Sequence, residues 1–162
     1  MASSWQPDGD SLEQLVHVLR QADSTSTEAQ QQVIAQLDQF SSQVPAFPAY
    51  LLYIFIYATQ YPENVRLRAG LSLKNNVTQR LAAFPPEVLA YVKESIWIGL
   101  EDDSAAVRNT SASVLDWLFK TIGPIQWPQA LVKLLQYMSV PKPATQEVGK
   151  PTVTFAAGRI TR

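Results

Sequence analysis

No cysteine occurs among the 162 residues, which excludes a disulfide framework and thiolate metal sites. Histidine is nearly as scarce. His17, in "LVHVLR", has no second histidine or paired carboxylate at ligand spacing, so it reads as a packed or surface residue. Glycine-rich phosphate loops are missing as well, because "PDGDS" and "AAGR" lack both the P-loop spacing and its Lys-Ser/Thr pair. Serines are plentiful, yet none falls into a Ser–His–acid arrangement. The expectation is a protein with no catalytic residues, no cofactor and no metal, and therefore not an enzyme. Charge of one sign is lacking too: 13 Lys and Arg face 14 Asp and Glu, a balance that does not fit a nucleic-acid binder. The longest apolar run, Ala49 to Ala58, is half the length needed to span a bilayer, and "MASSWQPDGD" lacks the pattern of a signal peptide. These absences predict a soluble, intracellular, single-domain protein that contacts neither membrane nor nucleic acid.

What is present is repetition. Pro and Gly fall mostly between segments of helical period and divide the chain into helix pairs. The spacing predicts helices over 11–22 and 27–44, over 46–60 and 63–82, and over 86–100 and 104–122, with a seventh beginning at "WPQALVKLLQYMS". The second helices superpose. Val65-Arg66 falls on Val107-Arg108, 42 residues further on, and Leu73 then falls on Leu115. Two-helix units with a period near forty are the signature of HEAT-type solenoids, in which thin units bury their apolar faces only by stacking. The expected fold is an all-α, right-handed α-solenoid of about three and a half HEAT repeats. Residues 1–10 form a lead-in, 11–138 hold repeats 1–3 with the first helix of repeat 4, and 139–162 read as an irregular tail. That tail has prolines, glycines and no helical period, which would leave Leu131, Leu134 and Leu135 without a partner helix. The expectation is a fragment, a truncated splice product, or read-through into non-coding sequence.

Polar residues on the second helices separate by face. Val65, Ala69, Leu73 and Val77 share one side of the second repeat's helix, and Leu67, Gly70 and Leu71 widen the apolar arc. The opposite side carries Arg68, Ser72, Asn75 and Gln79. The same positions in repeat one are Gln32, Gln36, Gln39 and Gln43, and in repeat three they include Trp117. Stacking would align these positions into one outward, partner-facing stripe. Trp117 is either a binding hot spot or a side chain that a complete fourth repeat covers. Lys74 lies laterally, between Asp38 and Asp116 at equivalent positions, which predicts ion pairs between neighbouring repeats. Arg66 and Arg108 fall within the apolar arc, where a free charge is costly. They are expected to bond to turn acids such as Asp102, Asp103 and Glu63. Asn76, also near the apolar face, is expected to tie backbone groups together.

With the repeats laid out, "SSWQPDGDSLEQLVHVLRQ", "FPAYLLYIFI" and "RAGLSLKNNV" together resemble the N-terminal region of the importin-β (karyopherin-β) family of nuclear import receptors. The "RAGLSLKNN" run, Arg68 to Asn76, is the most specific element, and residues 141–162 match nothing in that family. The resemblance implies a receptor that shuttles between cytoplasm and nucleus. It also implies that the second helices bind the small GTPase Ran in its GTP form, and that nucleoporins are further partners. Cargo bearing a nuclear localisation signal is implied only for a full-length receptor. The Ran-facing role is carried onto Gln32, Gln36, Gln39, Arg68, Asn75, Gln79 and Trp117. Asp38, Lys74, Asp116, Arg66 and Arg108 are kept as structural, inter-repeat residues. The alternative is a generic HEAT scaffold in some other assembly, with no connection to Ran.

Overall fold

A computed structural model describes residues 5–140, so the expected tail falls outside the described residues except for its first two positions. The described residues form seven α-helices: α1 (Gly9–Gln21), α2 (Thr27–Gln43), α3 (Phe47–Leu52), α4 (Glu63–Arg80), α5 (Pro86–Ser95), α6 (Ala105–Gln126) and α7 (Pro128–Ser139). They alternate as first and second helices of HEAT units, and local chemistry marks the two kinds. The first helices α3, α5 and α7 each open with a proline in the first turn (Pro48, Pro86 and Pro128), where a missing N–H costs nothing. The second helices α2 and α6 open on serine caps, with Ser26 Oγ accepting from Ala29 N and Ser104 Oγ from Val107 N. Asp8 caps α1 by accepting from both the backbone N–H and the hydroxyl of Ser11. Those two bonds hold its carboxyl below the usual carboxylate range.

In the middle of the stack like helices pack together, α3 against α5 and α4 against α6, while α1 lies against α4. One core runs through the stack, from Leu15 and Leu19 through Phe55, Leu73 and Ile96 to Leu115 and Leu118, all essentially without exposure. Two first helices end irregularly. After Leu52 the chain continues as a π-helical turn over Tyr53–Tyr57, closed by Ala58 N donating to Tyr53 O. After Ser95 it tightens into a 3₁₀ turn over Ile96–Glu101. Helix α6 kinks at Gly123, whose φ of 81° favours glycine, and Pro124 follows.

Stacking is close enough that two glycines act as spacers. A methyl group on Gly70 would stand 2.7 Å from the Phe55 ring, and one on Gly99 would stand 1.9 Å from Ser111 Oγ. That Ser111 hydroxyl is wholly buried and has no hydrogen-bond partner among the described residues. Ser111→Ala removes an unpaired polar atom and is expected to stabilise the chain by about 1 kcal/mol, read as a raised melting temperature. An unchanged or lowered melting temperature would mean that the hydroxyl is satisfied.

The two buried arginines are held mainly by the turn after α5, although Arg108 Nε has no partner among the described residues. Arg66 donates Nη2 to Asp102 Oδ2 at 2.5 Å and Nε to the Phe55 carbonyl at 3.1 Å. Arg108 donates Nη1 to the carbonyls of Asp102 (2.6 Å) and Asp103 (2.8 Å). Asp102 thus joins repeat two to repeat three, while Glu63 stays exposed at the start of α4. Asn76 ties its own helix by donating to the Ser72 carbonyl at 2.9 Å and accepts from Ser41 at 3.5 Å.

Two expectations need correction. No ion pair among the described residues joins Asp38 to Lys74; Asp116 instead pairs within its own helix with Lys120, at 2.6 Å. For Asp38 the reason is that α2 stands off from α4, so these two lateral positions do not face one another. Leu134 does not lose its partner either. It is buried in the core, and α7 is further fixed by the Trp97–Trp127 edge contact, with Lys133 over Trp97 and Lys93 over Trp127. Leu131 and Leu135 are exposed.

Candidate interaction surface

Because α2 stands away from α4, a trough opens between the second helices of repeats one and two. Its floor is Leu19 of α1 and Val33 of α2, both part of the buried core, and its walls carry Ile34 and Leu37 on one side and Leu71 and Asn75 on the other. This part has a volume of about 370 Å³. It continues into a smaller recess where Asp38, Ser41, Gln79 and Arg80 come together. Arg80 Nη1 donates to Ser41 Oγ at 2.5 Å across that recess.

Arg68 forms one end of the trough. Its guanidinium pairs with Asp23, in the turn after α1, and the other oxygen of Asp23 accepts from Asn64 Nδ2 at 2.5 Å. The carboxylate therefore clamps two α4 side chains and cancels the charge of Arg68. The side chains of this pair retain 32% and 48% exposure, so the clamp contributes no more than about 1 kcal/mol to stability. Its consequence is electrostatic: at this end the trough is lined by amides and aliphatics rather than by an open cation.

The seven expected partner residues do not all share this place. Arg68, Asn75 and Gln79 line the trough and its continuation. Gln36 and Gln39 open to the other side of α2, where they border a separate recess of about 420 Å³ with Gln14 and His17 of α1. His17 there hydrogen-bonds to Gln21 at 2.9 Å. Gln32 is exposed near the start of α2. Trp117 is 40% exposed on α6, with Lys120 above its ring at 5.6 Å.

Sequence reasoning missed Ile34 and Leu71. Their helical positions fit an apolar arc, yet they are 61% and 53% exposed because no helix closes over them. The signal that could have found them is glutamine content: α2 buries only Val33 completely, too little for a helix enclosed by two neighbours. Among the described residues no cluster of three His, Asp or Glu side chains could hold a metal ion, and no helix is long and apolar enough to cross a membrane.

Comparison with known proteins places this surface in context. Residues 33–102, from within α2 to the end of the turn after α5, match the importin-β N-terminal domain. The chain is 39% identical over 132 residues to a protein of Dictyostelium discoideum named transportin, a match covering 82% of this chain. It is 32% identical over 135 residues to human transportin-1 and 29% identical over 140 residues to importin subunit beta-2 of Schizosaccharomyces pombe. These matches cover 83% and 84% of this chain, respectively. It spans only 14% or 15% of the length of these relatives.

Proposed function

The chain belongs to the importin-β N-terminal domain family, and from that premise we propose that it forms the part of a nuclear import receptor that contacts Ran in its GTP form. The mechanism is nucleotide-selective protein binding, in which no bond is made or broken. The observation that carries this reading is the coincidence of the family match with the open surface. Residues 33–102 include Gln36, Gln39, Arg68, Asn75 and Gln79, and three of these line the trough between α2 and α4. Names of the relatives speak of transport and import, which supports a place in nucleocytoplasmic protein traffic. Residues 11–138 would then act as the Ran-binding end of a longer solenoid, shuttling between cytoplasm and nucleus. Cargo and nucleoporins would engage the whole receptor.

Two exposed positions test the surface without threatening the fold. Asn75→Glu puts a carboxylate into the trough, and Trp117→Ala removes a large rigid contact on α6. Each is expected to weaken binding of the GTP form by at least about tenfold, with an unchanged helical signal and melting temperature. Unchanged affinity in both variants would remove this face from the contact.

A further inference from the structure

We infer that the trough between α2 and α4 takes an uncharged apolar side chain of the partner, and that Asp23 is the positioning residue that makes it selective for one. This inference rests on the Ran-binding reading and adds to it the chemistry of the occupant. Two large aliphatic side chains, Ile34 at 61% exposure and Leu71 at 53%, face the same opening, with buried Leu19 and Val33 beneath them. Exposed aliphatics grouped above an apolar floor gain free energy only from an apolar occupant.

At the Arg68 end of the trough, charge disfavours the other obvious occupant. An arginine at the rim of a groove ordinarily invites a carboxylate, but both oxygens of Asp23 are already committed to α4, one to Arg68 and one to Asn64. An acidic side chain entering here would meet a neutralised cation beside an existing anion, and like charges in proximity repel. Arg68 is therefore already paired before any partner arrives, with only its buried Nε lacking an acceptor among the described residues. The amide of Asn75, exposed beside Leu71, remains to meet polar backbone flanking the inserted side chain.

The test compares Ile34→Ser, Leu71→Ser, Arg68→Ala and Asp23→Asn in binding to GTP-loaded Ran over a range of salt. The two serine variants are expected to lose at least about tenfold in affinity, and Arg68→Ala less than about threefold. Asp23→Asn uncovers the charge of Arg68 and is expected to make affinity more salt-dependent than in the parent chain. A larger loss from Arg68→Ala than from Leu71→Ser, or a salt dependence unchanged by Asp23→Asn, overturns the inference. If the parent chain binds neither nucleotide form, the Ran reading falls and a second measurement decides the trough. Methyl spectra of the chain are then followed during titration with N-acetyl-leucine amide. Shifts confined to Ile34, Leu37 and Leu71 support an apolar socket, and shifts elsewhere or none refute it.

Discussion

Asp102→Ala is expected to destabilise the chain by about 3–5 kcal/mol and to lower its melting temperature on the order of 10 °C. The loss comes from what the substitution leaves behind. Arg66 has a side chain only 9% exposed, wedged between the Phe55 carbonyl and Asp102. Without the carboxylate its charge stays buried and half-paired, which costs far more than the intact pair gains. Asp102→Asn separates the two duties of this residue. The amide oxygen still accepts from Ser104 N, as Oδ1 does at 2.9 Å, but the charge is gone. It is therefore expected to lose most of the same stability. Measured by thermal or urea unfolding, a loss below 1 kcal/mol in Asp102→Ala would show that Arg66 finds water instead.

Gly99→Ala carries the second large effect, through steric overlap. An added methyl would meet Ser111 Oγ at 1.9 Å, Ile56 Cδ1 at 2.6 Å and Ser111 Cβ at 2.8 Å. Ser111 is fully buried and Ile56 nearly so, so neither can swing into solvent. Overpacking of this kind costs about 1–3 kcal/mol and sometimes more. We expect the upper end, because the contact lies on the seam where the turn after α5 meets α6. Gly9→Ala is the control: nothing lies within 4 Å of its added methyl, and it should leave stability unchanged or slightly raised. Equal melting temperatures for the two variants would contradict the packing described.

Much of this architecture was legible in the sequence because its determinants are local. Apolar period, proline at first turns and serine caps fix where the helices begin, and the 42-residue offset between Val65-Arg66 and Val107-Arg108 predicts how α4 and α6 stack. An acid beside Arg66 was expected from cost alone, since a charge inside an apolar arc needs a partner, but the backbone carbonyls that hold Arg108 and the exposure of Glu63 were not. What the sequence hides depends on the distance between helices. Ile34 and Leu71 fit a core face, and only the gap between α2 and α4 makes them exposed. Lys74 looks like one member of a charge column, yet a column needs neighbours at equal spacing. The π-helical turn at Tyr53–Tyr57 was equally hidden, because nothing in "YIFIY" distinguishes it from ordinary helix.

The trough is the feature that connects fold to proposed activity. Close stacking of α4 on α6 leaves little room for a partner between those helices, whereas the looser first unit leaves an opening with amides and aliphatics on its walls. A generic scaffold would need no such opening to discriminate nucleotide states. The most direct test is a titration of the folded chain with Ran loaded in turn with GTP and GDP, followed by calorimetry. The account predicts saturable binding to the GTP form, at least about tenfold tighter than to the GDP form. Equal affinity for both forms, or binding to neither by a helical and monodisperse chain, would contradict it.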